Sequence, residues 1–350
     1  MQNYGTLVLI HIFNQVFFHF QILISTEMQK RPVLVTEDDV KSLIEWNPLF
    51  DAIKGVMMDV SLKSNSTDNL IVQPARSFMQ IPHKNAVMLM MPGLSERNKV
   101  LSCKIVTSFV DNPSKYNLPS IMANVFVFDA HTGKLKAVLE GTTITEWRTA
   151  AASAVATHYL KPEAGKNHET LAVVGAGAQG RIHIIAFKHF FNFKKVNLWN
   201  RTHGKALKLA QDLKNQYDID IEVFDNIDDC VRDADVIVTA TYSSNPLLKL
   251  NQIKKNVIIN AIGAGIKHHC ELDDSIYEKS SIYTDSMENA RVELKGLIEE
   301  GYPVLGEIGE IIIGKKEIVK NDVIIFHSLG MGLEDGVTAR LILEKYSKNN

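Results

Sequence analysis

The sequence has little cysteine and almost no net charge, and both shortages exclude classes of protein. Its three cysteines, Cys103, Cys230 and Cys270, have no metal-type spacing. This argues against a disulfide framework or a metal site and favours a reducing, cytoplasmic compartment. The formal net charge is -2, and the lysines are spread along the chain rather than gathered into one basic run. We therefore expect no nucleic-acid partner and a small-molecule ligand instead.

A long apolar run occurs near the N-terminus, where residues 7–25 read LVLIHIFNQVFFHFQILIS. No lysine or arginine precedes this run, polar residues interrupt it, and no small-residue cleavage pattern follows. These features argue against a signal peptide or a membrane span. Met28 begins a conventional start. We expect residues 1–28 to be an extension outside the fold, with a membrane-directed segment as the alternative.

The remaining chain has the composition of a globular protein, with 45% hydrophobic and 22% charged residues in a length that suits two domains. Thr36, followed by three acids, predicts the start of a first helix. Strand-like runs separated by turn signals then predict a strand-rich, antiparallel region. These runs cover residues 86–91, 101–110, 123–128 and 135–140.

Regular alternation of strand and helix patterns follows from residue 170 onward and predicts a doubly wound parallel sheet. An alanine-rich helix over 148–160 suits a position between two domains, and a strand over 323–326 with a terminal helix is expected to return to the first domain. We predict an α/β fold in which a Rossmann domain (146–324) is inserted into a discontinuous α+β substrate-binding and dimerisation domain (29–145 and 325–350). The strands of the Rossmann domain are predicted near 171–174, 196–199, 221–224, 235–240, 257–262 and 281–284.

The most informative motif is a glycine-rich turn between the first of these strands and its helix. Gly175 permits the tight turn, Gly177 lets the backbone approach a pyrophosphate, and Gly180 allows close helix packing. About 20 residues on, an NAD site carries an acid for the ribose hydroxyls. This chain has Asn200 and Arg201 there, which predicts NADP(H) in preference to NAD(H). The alternative is a tight strand-to-helix turn that binds no ligand.

Basic residues in three further clusters lie where core packing would not need them. Arg76 follows a proline and suits a guanidinium fork aimed at a carboxylate. Lys104 lies within an apolar strand and either reaches solvent or serves a site. Arg148 lies in an otherwise apolar helix and either binds a ligand or forms an interdomain salt bridge to an acid such as Glu146 or Glu310. A fourth cluster, residues 260–263, ends the fifth predicted parallel strand, where ligands bind.

Taken in order, these clusters resemble the ornithine cyclodeaminase and mu-crystallin family of NAD(P)-dependent enzymes, and within it the mu-crystallin branch of NADPH-dependent ketimine reductases. The resemblance runs from about Pro32 to the C-terminus. The motifs that carry it are QPAR (73–76), KIVT (104–107), LPS (118–120), ITEWRTAA (144–151), GAGAQ (175–179), WNRT (199–202), NAIG (260–263), EIGE (307–310) and SLGM (328–331).

The resemblance implies roles for individual residues. Arg76 and Lys104 are implied to hold the substrate carboxylate and to act in catalysis, and Ser328 to approach the substrate and nicotinamide. The resemblance also implies a homodimer joined through the sheets of the first domain. The implied cofactor-binding residues are Thr107, Ser120, Arg148, Gly175, Ala176, Gly177, Ala178, Gln179, Asn200, Arg201, Thr202, Thr239, Ala240, Thr241, Ala261, Ile262 and Gly263.

Departures from the family pattern separate its activities. Ornithine cyclodeaminases carry an aspartate at the position of Gly265 and a glutamate just before the Met-Pro pair, where this chain has Leu89 two residues ahead of Met91. The absence of both acids argues against ornithine cyclodeamination. Mu-crystallin has serine at Gly265 and lysine at His327, so this pocket differs from that relative as well.

The expected activity is therefore the NADPH-dependent reduction of a cyclic ketimine carboxylate, such as piperideine-2-carboxylate or pyrroline-2-carboxylate. Two alternatives stay open: an amino-acid dehydrogenase of the alanine dehydrogenase type, and an NADPH-dependent binding protein for an iodothyronine-like ligand. The proton source is also open between Lys104 and protonation of the imine in solvent. The paired residues His268 and His269 are expected to be solvated surface.

Overall fold

The computed structural model describes residues 31–62, 70–166, 169–263 and 271–349, and it contains two β-sheets. The first sheet has seven strands. They are Val33–Val35 (β1), Ile71–Val72 (β2), Ser77–Ile81 (β3), Ala86–Ser95 (β4), Val100–Phe109 (β5), Ile121–Phe128 (β6) and Leu135–Glu140 (β7).

The second sheet has eight strands and is parallel throughout. Its strands β8 and β12 are buried at every position, as expected for strands covered on both faces. The strands are Thr170–Val174 (β8), Lys195–Trp199 (β9), Glu222–Val223 (β10), Val236–Thr239 (β11), Val257–Ala261 (β12), Ser280–Thr284 (β13), Val304–Glu307 (β14) and Val323–His327 (β15).

Helices connect and cover the two sheets, and short 3-10 turns lie at Pro82–Lys84 and Leu250–Gln252. The first helix begins as its sequence predicted, because the Thr36 hydroxyl accepts from the Asp39 amide in a capping box. The helices are Glu37–Leu43 (α1), Trp46–Leu62 (α2), Asn112–Lys115 (α3), Gly141–Leu160 (α4), Ala178–Phe190 (α5), His203–Tyr217 (α6), Ile227–Val231 (α7), Asp274–Tyr277 (α8), Met287–Glu293 (α9), Lys295–Glu299 (α10), Ile308–Ile312 (α11) and Gly332–Asn349 (α12).

The strands of the first sheet follow the order β1-β7-β6-β5-β4-β2, with β3 also paired to β4. All pairs are antiparallel except β1 with β7. Along β5 the even-numbered residues through Lys104 face α12, whereas Cys103, Ile105 and Thr107 lie on the opposite, half-exposed face. The sheet therefore presents one face to the interior and one apolar face outward.

The parallel sheet has the strand order β10-β9-β8-β11-β12-β15-β13-β14. Its first five strands reproduce the 3-2-1-4-5 part of the Rossmann order, and β15, the last strand of the chain, takes the sixth place. The predicted α/β fold with a doubly wound parallel sheet is confirmed. The expectation that the strand near 323–326 leaves this sheet is wrong. The strand β15 pairs with β12 and β13, because its apolar side chains are buried within the parallel sheet, and only the helix α12 that follows packs on the first sheet.

The alanine-rich helix α4 lies between the two sheets, as its composition predicted. It contacts α2 and β6 on one side and α5 and β12 on the other. Its alanines from Ala150 to Ala156 are buried, and their small side chains allow this close approach. The helix carries Thr145 and Arg148 into the space between the sheets.

No helix in the described ranges is long and apolar enough to cross a membrane. The predicted N-terminal extension, residues 1–28, lies outside the described residues.

We predict that Trp46→Ala destabilises the protein by about 3–5 kcal/mol, because Trp46 is a buried anchor between three helices. Its ring stacks on Trp147 of α4 at 3.9 Å between centroids and meets the edge of Phe190 of α5. Leu62→Ala, at the exposed end of the same helix, is the control and should change stability by less than about 0.5 kcal/mol. Chemical denaturation measures both variants, and equal losses would contradict the anchoring role.

Candidate active site

The glycine-rich turn after β8 has the geometry of a dinucleotide site. Gly175 has a φ of 119°, a conformation that favours glycine, and a Cβ on Gly180 would collide with the Gly175 carbonyl oxygen. Gly177 caps the N-terminus of α5 and has open space where a Cβ would lie. A helix N-terminus with free amide groups beside open space fits a pyrophosphate.

The loop after β9 is tied to this turn through Asn200. The Asn200 side chain accepts from the Ala176 amide at 3.1 Å and donates to the Thr202 carbonyl at 2.9 Å. Arg201 and Thr202 are exposed beside it. The structure therefore brings Asn200, Arg201 and Thr202 next to the glycine turn, with Arg201 available to a charged group of a ligand.

The ends of β11 and β12 meet at the same edge, and Glu271 joins them. One carboxylate oxygen of Glu271 accepts from the Thr241 amide at 2.7 Å, and the other accepts from the Gly263 amide at 3.0 Å. This acid is buried, and burial raises its pKa. The segments expected to line the nucleotide, 239–241 and 261–263, are thus held together by a side chain that the sequence analysis missed.

A buried ionic cluster lies between the first sheet and helix α12. The Lys104 ammonium nitrogen is 2.9 Å from both carboxylate oxygens of Asp335 and 3.2 Å from the Thr145 hydroxyl. Arg148 donates from Nε to Asp335 at 3.1 Å and from Nη1 to Glu334 at 3.0 Å. Both acids have side chains with 0% exposure, so these charges are shielded from water.

Arg76, just before β3, lies beside the same region. Its Nε lies 2.9 Å from a carboxylate oxygen of Glu293, and its Nη2 donates to the carbonyl oxygens of Leu329 and Gly330. Asp285 accepts from the Gly330 amide at 2.6 Å. The loop after β15 is therefore held by an arginine on one side and a carboxylate on the other.

Burial shifts the titration of three groups of this region, Lys104, Glu334 and Glu293, toward their uncharged forms. Burial lowers the pKa of Lys104 to about 8 despite the neighbouring Asp335. It raises the pKa of Glu334 to about 8 and that of Glu293 to about 7, although Arg148 and Arg76 oppose these increases. The site therefore contains several groups that change charge near neutral pH.

The other predicted site residues lie in different places. Ser328 is 7% exposed at the end of β15, and its amide donates to the Ala261 carbonyl, which sets it beside the predicted nucleotide edge. Thr107 lies on the outer face of the first sheet, opposite Lys104. Ser120 precedes β6 and its carbonyl accepts from the Phe109 amide. Neither Thr107 nor Ser120 contacts the ionic cluster through a hydrogen bond in the described residues.

The acids suggested as salt-bridge partners of Arg148, Glu146 and Glu310, are wrong. Glu310 instead pairs with Lys316 and accepts from the amide of Glu307, the N-cap residue of α11. Arg148 pairs with Glu334 and Asp335 of α12. Glu334 and Asp335 lie in the first turn of α12, where adjacent acids are common. Their local sequence therefore does not indicate that they pair with a buried arginine.

Comparisons with known proteins show the family of this chain. The family model described as the ornithine cyclodeaminase/mu-crystallin family matches residues 31–350. The chain belongs to this family. Relatives of this chain include ketimine reductase mu-crystallin of Macropus fuliginosus, which is 36% identical to it, and that of Rattus norvegicus, which is 33% identical. Each alignment covers 91% of this chain and 99% of the relative.

Solved structures of the family have the same fold. The Δ1-pyrroline-2-carboxylate reductase of Thermococcus litoralis, in complex with NADH and L-proline, is 27% identical with a TM-score of 0.82. The iminosuccinate reductase of Paracoccus denitrificans with NAD⁺ is 28% identical with a TM-score of 0.81, and an archaeal alanine dehydrogenase dimer with NAD is 27% identical with a TM-score of 0.81. Each alignment covers 91% of this chain and 97–98% of the other.

Some features named from the family pattern have no structural description. Gly265, His268 and His269 lie outside the described residues.

His327 is buried and stacks on Tyr277. Burial lowers its pKa to about 3, so it is a neutral side chain of the parallel-sheet core. Within the described ranges, no group of three or more His, Cys, Asp or Glu side chains could hold a metal ion.

We predict that the stability of this family member falls as pH rises from 6.5 to 8. Glu334 has a pKa near 4.5 when unfolded and about 8 when folded, so only the folded state keeps this proton across the window. Glu293 adds to the effect up to about pH 7. The buried histidines His183 and His327, whose pKa values are lowered from 6.5, act in the opposite direction at the lower end of this window and below it. Lys104, whose pKa is lowered to about 8, opposes the fall at the upper end, so the decline is steepest near pH 7.

Glu334→Gln should reduce the slope of the free energy of unfolding against pH. One proton held only by the folded state contributes at most about 1.4 kcal/mol per pH unit to this slope. Glu344→Gln, at an exposed position of the same helix, is the matched control and should leave the slope unchanged. Free energies of unfolding from denaturant titrations at several pH values measure the slopes. An unchanged slope in Glu334→Gln would show that Glu334 is ionised in the folded protein.

Proposed function

We propose that this protein is an NADPH-dependent reductase of cyclic ketimine carboxylates such as piperideine-2-carboxylate or pyrroline-2-carboxylate. The observation that carries the proposal is a set of three bases beside the loop that follows β15: Lys104 and Arg148 are buried, and Arg76 is partly buried. That loop begins at the carboxyl edge of the same parallel sheet whose first turn fits a dinucleotide. The mu-crystallin, pyrroline-2-carboxylate reductase and iminosuccinate reductase relatives support a C=N substrate with a carboxylate.

The proposed cofactor site extends from the glycine turn to the edge formed by β11 and β12. A bound nicotinamide dinucleotide supplies the hydride that reduces the C=N carbon. Gly175 to Gln179 would hold the pyrophosphate, and residues 239–241 and 261–263 would line the nucleotide. We propose a preference for NADP(H). NAD sites carry an acid at this position, and that acid would repel a 2'-phosphate. This chain instead has the amide of Asn200, the guanidinium of Arg201 and the hydroxyl of Thr202 there.

Lys104 retains a donor for the substrate carboxylate. An ammonium group has three N–H donors. Among the described residues, Asp335 and Thr145 accept from Lys104, and the Thr145 hydroxyl itself donates to the Gly141 carbonyl. Only one of the two Asp335 oxygens accepts a hydrogen bond from Lys104, although both lie 2.9 Å away. We propose that the remaining N–H of Lys104 binds a ligand oxygen.

The charge of the cluster also favours an anionic ligand. Fully ionised, its three bases and four carboxyl groups would carry a net charge of about -1, which would repel a carboxylate. Burial keeps Glu334 protonated and Glu293 partly protonated near pH 7, and this makes the net charge of the cluster positive. The carboxyl groups are Asp285, Glu293, Glu334 and Asp335.

A proton must also reach the ring nitrogen, because the iminium is the better hydride acceptor. Lys104 is the proposed donor: burial lowers its pKa to about 8, which is suited to proton transfer near neutral pH. Protonation of the imine in solvent before binding would need no protein group. A pH profile of kcat/KM measured on Lys104→Arg separates the two routes, since arginine binds the carboxylate but cannot donate.

We further propose that the protein is a cytoplasmic homodimer joined through the outer face of the first sheet. This face carries half-exposed Met88, Ile105, Met122 and Phe126, with Met90 40% exposed, whereas the helices pack on the other face. A contiguous apolar face that no helix of the described residues covers favours a subunit contact. Sedimentation of the wild type and of Met90→Lys tests this contact, because the lysine should weaken the dimer. A Met90→Lys dimer as stable as the wild-type dimer would contradict it.

We predict that NADPH is oxidised with cyclic ketimine carboxylates but not with pyruvate plus ammonia, the substrates of an alanine dehydrogenase reaction. Initial rates on a panel of imines, measured with both NADPH and NADH, check this. If no imine is reduced while an iodothyronine binds tightly to the NADPH complex, the protein is a ligand-binding member of the family instead.

We predict that Arg201→Ala weakens NADPH binding about 10- to 100-fold and leaves NADH binding nearly unchanged, because a charge-assisted hydrogen bond to the 2'-phosphate is lost. Lys208→Ala, at an exposed position on α6, is the control. Fluorescence titration with each cofactor measures the dissociation constants. If NADPH and NADH respond equally to Arg201→Ala, the phosphate assignment is incorrect.

A further inference from the structure

Asp335 touches two of the three bases proposed for the substrate site, and it comes from the last helix of the chain. We propose that Asp335 is a positioning residue that keeps Lys104 charged and aimed at the substrate carboxylate, while it fixes Arg148 in the same contact. This inference rests on the proposed function. It assigns a mechanistic role to the C-terminal helix α12, which lies far from the dinucleotide turn in the chain.

The geometry leaves Lys104 little freedom. Its nitrogen lies 2.9 Å from each Asp335 oxygen and 3.2 Å from the Thr145 hydroxyl, and its side chain is 1% exposed. Two contacts from different helices fix the direction of the ammonium group. The Asp335 oxygen Oδ1 is shared with Arg148 Nε at 3.1 Å, so a movement of Asp335 would displace both bases.

The charges that face Lys104 come from several elements. Asp335 is the main group that favours the ammonium form, whereas burial, Arg148 of α4 and Arg76 beside β3 disfavour it. Glu334, next to Asp335, is turned toward Arg148 and the Met331 amide. Without Asp335, Lys104 would face two arginines in a buried space. The pKa of Lys104 would then lie well below its value in the wild type.

A purely structural aspartate would not set this protonation state. Removing such a residue would lower stability and kcat together at every pH. Removing Asp335 should also move the basic limb of the kcat/KM profile, because the ammonium form of Lys104 is what binds the carboxylate. The imine titrates identically with both enzymes, so a difference between their profiles reports on the protein.

The test compares wild type, Asp335→Asn and Thr338→Val by pH profiles of kcat/KM for a cyclic ketimine carboxylate. For wild type, kcat/KM should decline above about pH 8, and Asp335→Asn should shift this limb down by about one to three pH units. Thr338→Val removes a buried hydroxyl that donates to the Glu334 carbonyl on the same helix without changing a charge, so its limb should not move. An unmoved limb in Asp335→Asn would overturn the proposal.

A second variant covers the case in which Asp335→Asn does not fold. Asp335→Glu keeps the charge but changes its reach, so kcat/KM should fall while the basic limb stays near its wild-type position. A limb that moves down in Asp335→Glu would overturn the role in charge maintenance, and an unchanged kcat/KM would overturn the role in aiming.

Binding of a carboxylate that cannot be reduced separates this inference from the proposed function. Calorimetric titration of the NADPH complex with pyrrole-2-carboxylate should show affinity that declines above about pH 8 in wild type and at lower pH in Asp335→Asn. If wild type reduces no imine but shows this shift, the function fails and the role of Asp335 stands. If wild type is active and the two binding profiles coincide, the role of Asp335 fails alone.

Discussion

The pairing of two buried bases and one partly buried arginine with a set of carboxyl groups is the constraint on which the rest of this structure depends. A buried cation is costly unless it is paired and hydrogen-bonded. Lys104, Arg148 and Arg76 come from the first sheet, the central helix and the segment before β3, and their partners come from α12, α9 and the loop after β15. These contacts require the C-terminal helix to return to the first sheet after β15 has completed the parallel sheet.

The two halves of the proposed site are joined through the end of β15. Ser328 follows this strand and bonds to the end of β12, at the nucleotide edge. Two residues later, Gly330 has a φ of 82° and lies against the Arg148 guanidinium, where a Cβ would collide with Nη1. A single short loop thus connects the proposed dinucleotide edge with the ionic cluster.

The sequence predicted most of the fold because its signals are local. The glycine turn, the buried strands and the capped first helix each depend on neighbouring residues, and each was found close to its predicted position. The placement of β15 could not be predicted in this way. A short apolar strand near the end of a chain fits either sheet, and only its pairing with β12 and β13 decides between them.

The basic residues of the ionic cluster could be singled out from the sequence, but its acids could not. Arginine and lysine stand out within apolar segments, as Arg148 and Lys104 do here. Asp335 and Glu271 lie in ordinary helix-start or loop contexts, and their importance comes from contacts 231 and 30 residues away along the chain. Such long-range pairs have no local signature in one sequence.

The central claim is that the buried cations recognise the carboxylate of a cyclic imine during its reduction by NADPH. The most direct measurement is the ratio of kcat/KM for piperideine-2-carboxylate to that for the same ring without the carboxylate. Loss of charge-assisted hydrogen bonds predicts a ratio of about 100 or more. Equal values for the two compounds would contradict the account, because the cationic cluster would then take no part in binding the substrate.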